Sequence, residues 1–353
     1  MKSKKQLSLI FSLSALLLLS ACDGSDGAGT GADSVPVSFS ARVEGTTGAA
    51  ARAVTPVTGE MTTANIPSMG VYAYYTRQAN MTPSHLPNFM NNQRVTKSGS
   101  TWTYDPVKYW PGTAGDKISF FAYAPHRDDI YSGLQDAYGL NPANDNDAGI
   151  YYTITQGYPK LYYRVPVNEE NQVDLLAAPA LPNHTRSGEL GFKMQHALAR
   201  VEFRIKSSSD IEVASLAVQD IYDVTVINFD ETNNGVPKFN VPDMEPDDPQ
   251  VDAWACLGYG STLVDADTDT WIATFYLPAR FPEGKLMFEY GDPGSAGNTT
   301  NEMELPGEGL WQPGQHVIYT IVIDKTKLDI NVTSGNMSWT TGADEIIDTG
   351  EPS

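Results

Sequence analysis

Cysteine, basic charge, helical periodicity and long apolar runs are all scarce in this sequence, and each shortage removes a class of function. Basic residues number 23 against 43 acidic ones, for a formal charge of −20. A chain this acidic repels phosphate backbones, so nucleic acid is excluded as a partner. The five histidines (His85, His126, His184, His196, His316) are scattered, with no H-E-x-x-H and no Cys/His spacing for zinc. No G-x-S-x-G elbow and no glycine-rich phosphate loop follows a strand pattern. We therefore expect no enzyme, no catalytic residue, no cofactor and no metal site.

The most apolar stretch, Leu7 to Leu19, is interrupted by Ser8, Ser12 and Ser14. A spanning helix needs about 20 apolar residues. The run is too short for that, but it suits a signal-peptide core behind Lys2, Lys4 and Lys5. The following "LSAC" resembles the lipobox of bacterial lipoproteins, with signal peptidase II cutting between Ala21 and Cys22 and the Cys22 thiol taking a diacylglycerol. Two or more acyl chains hold a protein stably at a membrane. With Cys22 lipidated, only Cys256 is left, so no internal disulfide forms, and a buried free thiol is the expectation. Residues 1–21 read as the lipoprotein signal and 22–34, rich in Gly, Ser and Asp, as a flexible tether. Asp23 and Asp26 resemble the acidic residues that direct lipoproteins of the Bacteroidetes to the cell surface.

Past the tether, short alternating runs of Val, Ile, Tyr, Phe and Thr are bounded by Gly, Pro, Asn and Asp, which is strand-and-turn grammar. "VPVSFSARV" (from Val35), "MGVYAYYT" (from Met69), "ISFFAYAP" (from Ile118), "TWIATFYLP" (from Thr270) and "HVIYTIVI" (from His316) are examples. In "ARVEFRIK", Val201, Phe203 and Ile205 share one face, and Arg200, Glu202, Arg204 and Lys206 are expected on the watered one. Helix signals reduce to a turn or two in "NEENQVDLLAAPA" before Pro179. The fold class is all-β, in packed antiparallel sheets. A polar stretch, Leu181 to Leu190, places a boundary near 188 and divides the chain into sandwich domains over 35–188 and 189–353. Asp265, Asp267 and Asp269 alternate as in calcium loops but lack the glycine and distal glutamate of an EF-hand, so a solvated turn is the better reading. Aromatics in "YYTITQGYPKLYYR", Tyr162 and Tyr163 among them, offer a sugar-stacking surface, with a place in the core as the simpler use.

Several stretches together resemble the fimbrillin family of Bacteroidetes pilus proteins: "KYWPGTAGDKISFFAYAP" (from Lys108), "VDLLAA" (from Val173), "FKMQHALARVEFRI" with His196 and Arg200, "LWQPGQHVIYTIVID" (from Leu310) and "DINVTSGNMSW" (from Asp329). They occur in the family's order over nearly the whole mature chain. The resemblance implies two tandem transthyretin-like Greek-key sandwiches and a structural role, in the shaft, the tip or the anchor of a fimbria at the outer membrane and cell surface. It also implies that an Arg-specific protease removes the N-terminal strand and that a neighbouring subunit's strand fills the groove by strand addition. Residues 35–52 would be the removable segment, with Val35, Val37, Phe39 and Ala41 on one face. Arg52, among small residues, is the expected cut and Arg42 the lesser one. Leu328, Ile330 and Val332 form the candidate donor strand, with a self-inserted final strand equally open. Expected partners are other fimbrial subunits in a homo- or heteropolymer, outer-membrane lipid through Cys22, and a host or bacterial surface ligand. The alternative is an unprocessed, surface-anchored lipoprotein that binds glycans or host ligands.

Overall fold

A computed structural model describes residues 34–44, 59–60, 66–127, 149–152, 157–222, 224–229, 237–240, 255–258, 261–278, 284–295, 299–306, 311–324 and 327–336. Among them there is no α-helix. The strands are β1 (Phe39–Val43), β2 (Gly59–Glu60), β3 (Ser68–Arg77), β4 (Met90–Ser98), β5 (Thr101–Thr103), β6 (Lys117–Ala124) and β7 (Gly149–Tyr152). Next come β8 (Lys160–Arg164), β9 (Leu176–His184), β10 (Leu190–His196), β11 (Leu198–Ser207), β12 (Ile211–Gln219), β13 (Val224–Phe229) and β14 (Pro237–Asn240). The last are β15 (Ala255–Gly258), β16 (Thr262–Val264), β17 (Asp269–Pro278), β18 (Lys285–Gly291), β19 (Thr299–Glu304), β20 (Gln315–Asp324) and β21 (Lys327–Asn336). The molecule is an all-β protein with its sheets in a sandwich-like arrangement.

The longest sheet runs β2-β1-β10-β9-β6-β3-β4-β5. Its alternating sequences place one set of side chains, including Val71, Ala73, Phe120 and Ala122, in a core shared with Val37, Phe39 and Val43. The opposite set, Tyr72, Tyr74, Phe121 and Tyr123, joins a second core with Leu161, Phe229, Phe203 and Tyr319. Both faces are thus dry, which is why β3 and β6 read as near-continuous apolar runs. A four-stranded sheet, β14-β13-β8-β7, supplies part of that second core, and Phe121 meets Phe229 edge to face at 5.5 Å. Two further sheets, β17-β11-β20-β21 and β15-β12-β18-β19, complete it.

Strand pairing crosses residue 188 in three places, the β1–β10 ladder among them. The stretch Leu181 to Leu190 connects β9 to β10 within one sheet, and β8 pairs with β13. The helical turn expected in "NEENQV" is a single 3-10 turn, Glu169–Asn171, and "LLAAPA" continues as β9. Pro179 is accommodated where the β6–β9 register slips between Phe120 and Ala122, a position that needs no ladder N–H.

β11 is buried on more than its apolar face. Val201, Phe203 and Ile205 are buried as expected, but Arg200 and Glu202 are buried too. β11 lies between β17 and β20, and along its first half the second face is covered as well, so alternation there separates an apolar from an ionic interior, while Arg204 is half-buried and Lys206 exposed as expected. Asp265 and Asp267 lie in the turn between β16 and β17, and Asp269 opens β17, where it faces Arg204 at 3.4 Å. Among the described residues no three metal-ligating side chains converge.

Candidate functional site

The chemistry-bearing feature of this fold is the seat of its first strand. Residues 35–43 alternate without a break: Val37, Phe39, Ala41 and Val43 are buried, and Ser38, Ser40 and Arg42 turn outward. Val35 is only half-buried. β1 pairs parallel with β10, Phe39 opposite Leu190 through Val43 opposite Met194, and antiparallel with the short β2. The ladder continues past both ends, since Leu190 N–H donates to Ser38 O and Glu44 N–H donates to Met194 O, each at 2.9 Å.

Ahead of β1 the chain is gripped by the loop from Tyr104 to Trp110. Val37 N–H donates to Lys108 O and Trp110 N–H to Val35 O, both at 2.9 Å, and Pro36 bridges Tyr109. The Tyr104 hydroxyl donates to Val37 O at 2.7 Å. Burial raises the Tyr104 phenol to about 12 against a partial lowering by Lys108, so it remains a donor at any physiological pH. Phe39 sits in a pocket of three rings, with centroids of Tyr104 at 5.6 Å, Phe120 at 5.8 Å and Phe192 at 5.7 Å. Full burial of a Val or Phe side chain stabilises by about 1.5–3 kcal/mol. A strand seated this way is held firmly by noncovalent contacts alone, and its removal leaves a long apolar groove with unpaired backbone along β10. Sequence reasoning found the alternation but not the grip of residues 104–110, whose partners are distant along the chain; its signal was the aromatic-rich "KYWPG".

Of the other residues singled out, Arg42 sits within β1, paired to Glu60 and Lys193. Ala21, Cys22 and Arg52 lie outside the described residues. The backbone of Leu328, Ile330 and Val332 belongs to β21, which pairs along its full length with β20; the three stand opposite Ile323, Ile321 and Tyr319. Tyr163 is 1 % exposed and belongs to the core, which removes it from any stacking surface. Tyr162 packs against Val224, with the Lys160 ammonium 5.3 Å from its ring.

A second polar cluster lies where the first sheet meets β17. Glu169 accepts from Thr274 N–H at 3.1 Å and Gln172 from Tyr276 N–H at 2.7 Å, so two side chains occupy the otherwise open edge of β17. Gln172 Nε2 donates to Pro166 O, and His196 Nδ1 lies 2.8 Å from Asp174 Oδ1. Burial pushes the Glu169 carboxyl up to about 7, partly opposed by the Thr274 N–H. Glu202 meets Arg204 at 2.6 Å, His316 at 3.1 Å and Arg200 at 3.3 Å. Burial alone would raise the Glu202 carboxyl, but the His316 hydrogen bond and the two guanidinium charges bring it down to about 2. Glu169 and Gln172 bond backbone, and Glu202 bonds the cations around it, which is structural chemistry.

The fimbrillin-like family model matches residues 52–339. Fimbrium subunit Fim1C of Phocaeicola vulgatus is 23% identical over 334 residues, 79% of this chain and 83% of its own. The crystal structure of a fimbrial protein of Bacteroides vulgatus has a TM-score of 0.58 at 20% identity, covering 86% of this chain and 99% of its own. A Bacteroides uniformis structure, described as a cell adhesion protein, has a TM-score of 0.52 at 15% identity, with 86% and 98% covered. With most of its length matched by the family model, this chain belongs to the fimbrillin-like family.

Proposed function

We infer that the protein is a structural subunit of a surface fimbria, exported as a lipoprotein through Cys22 and assembled by strand exchange once its N-terminal segment is cut away. The observation that carries this reading is the seat of residues 35–43: a comb of buried side chains, a parallel ladder to β10 and the grip of residues 104–110, all noncovalent. Between β1 and β2 the chain contains Arg52, where the family model's match also begins. Arg42 is a poorer substrate, because a protease needs extended backbone free of partners and Arg42 is paired on both sides. The vacated groove would accept a strand from another subunit, with backbone bonds giving affinity and alternate side chains giving specificity. The curated relative named above is itself a fimbrium subunit.

Digestion of the full chain with an Arg-specific protease tests the reading. Mass spectrometry is expected to show cleavage after Arg52, followed by SDS-resistant ladders, and Arg52→Ala to suppress both. A cleanly cut protein that remains monomeric counts against polymerisation and favours an anchor or stand-alone surface role.

A further inference from the structure

Among the described residues the large hydrophobic side chains left exposed are Leu86, Val107, Tyr109 and Leu263, and two of them share one loop. Val107, 47 % exposed, and Tyr109, 37 % exposed, sit two positions apart between Tyr104 and Trp110. Pro106 is exposed beside Val107, and Pro36, also exposed, bridges Tyr109 from the entering chain. These four apolar residues form a knuckle on the outer side of the loop whose backbone grips residues 35–37. The run Pro106 to Trp110 contains a lysine and no acidic residue, in a chain with 43 of them. Exposed apolar side chains scattered singly need no explanation, whereas a contiguous group marks a surface that something covers.

The course of the chain indicates what covers it. Trp110 N–H donates to Val35 O and Val37 N–H to Lys108 O, both at 2.9 Å, so the entering chain is fixed at the knuckle itself. Only the stretch from Asp23 to Ser34 separates this point from Cys22. A chain of that length reaches at most about 40 Å when fully extended. We propose that Pro36, Pro106, Val107 and Tyr109 rest on the lipid surface while the chain is held there through Cys22. The knuckle then gives the lipoprotein a second, noncovalent membrane contact. This inference rests on the lipoprotein reading and names the face that reading turns toward the bilayer. Tyrosine, with an apolar ring and a polar hydroxyl, suits the boundary between headgroups and acyl chains. The formal charge of −20 opposes approach to anionic lipid, so the contact is apolar and local. So few side chains bury too little area to hold a free protein at a bilayer, but a short covalent link raises their effective concentration there to the mM range. Leu263, 62 % exposed on β16 and paired into the sheet of β12, has no such link to the entering chain and serves as the reference position.

The test uses the full uncut chain from Cys22, acylated by the cell that exports it, in phosphatidylcholine vesicles. It carries Cys256→Ser and an NBD fluorophore attached at Val107→Cys or at Leu263→Cys. At position 107 the emission is expected to shift to the blue, to be quenched by doxyl-labelled lipid and to be protected from dithionite. At position 263 it should keep its value in water. Adding Tyr109→Ser to the chain labelled at 107 should weaken all three signals with unchanged circular dichroism. Full signals in that variant would mean that the fluorophore itself makes the contact, and would overturn the proposal. So would equal shifts at both positions, or a shift at 107 without quenching by doxyl lipid, which assigns the knuckle to a second copy of the chain. Intact mass separates the two readings. Acyl chains on Cys22 with an unshifted label at 107 sink this inference and leave the lipoprotein reading standing, whereas a Cys22 without acyl chains removes both.

Discussion

Phe39 shows how a single ring fixes the position of a strand. Its three aromatic neighbours close around it at 5.6–5.8 Å, so a shift of β1 by one residue would put a serine in the pocket. Truncating a buried phenylalanine costs about 3–5 kcal/mol. Phe39→Ala in the uncut protein is expected to lower the urea midpoint accordingly, and after cleavage to speed release of the N-terminal fragment on size exclusion. Gly70 is a comparable point elsewhere in the same sheet. An added Cβ would lie 2.2 Å from Tyr123 Cε1 and 2.6 Å from Asn92 Oδ1, the two groups joined by the Tyr123–Asn92 hydrogen bond. Gly70→Ala should therefore destabilise by about 1–3 kcal/mol in the same denaturation experiment.

Two buried carboxylates give opposite pH signatures. Glu202 titrates near 2 when folded against its ordinary 4.5, so as pH falls the unfolded chain takes the proton first. The stability from its ion pairs is complete above pH 4.5 and is lost on descending from 4.5 toward 2. Glu169 titrates near 7 when folded, so its burial costs stability above that pH, and the cost is relieved on descending from 7 to 4.5. Thermal melts of Glu169→Gln should lose the gain on moderate acidification, while Glu202→Gln should flatten the acid loss. Parallel pH profiles of wild type and both variants would contradict these assignments.

At the scale of elements, β17 shows an edge finished by side chains instead of by a strand. Glu169 and Gln172 accept from Thr274 and Tyr276 where a neighbouring strand's carbonyls would stand. A buried N–H left without an acceptor costs about 1–3 kcal/mol. Gln172→Ala should cost that much and speed amide exchange at Tyr276, with little change at β21. The same region marks the limit of what the sequence disclosed. Alternation revealed the inner faces of β1, β11 and β20, because period two is a local property. It misplaced Arg200 and Glu202, since whether the second face meets water or another layer depends on chain far away. "NEENQVDLLAAPA" offered a helical turn or two before Pro179, whereas "LLAAPA" enters β9, where the register slip opposite β6 makes room for the proline. The alternating core of the strand seat was readable for the same local reason, and its grip by Tyr104, Lys108 and Trp110 was not.

For the whole molecule, charge is the dominant long-range property. The full sequence carries a formal charge of −20, so subunits of this chain repel as they approach, and salt screens that repulsion beyond about 10 Å at 0.1 M. On the strand-exchange reading proposed above, ladder formation by the cut protein should therefore quicken as ionic strength rises from about 0.01 M to about 0.1 M. A rate independent of salt would mean that strand release, not encounter, limits assembly. The all-β character and the family were both visible in the sequence, as strand-and-turn grammar and as an ordered set of short motifs. The sheet orders were not, because "ISFFAYAP" carries no mark that its neighbours will be β3 and β9.

The parallel ladder between β1 and β10 also governs how the seat responds to load. Tension applied along an occupying strand acts on all its rungs and on the Phe39-type anchor together, in shear. A force directed across the strand opens one rung at a time, beginning at the Tyr104 grip. An occupant of this groove therefore withstands being drawn lengthwise far better than being lifted from one end, so the same seat is durable under pull and opens rung by rung when peeled.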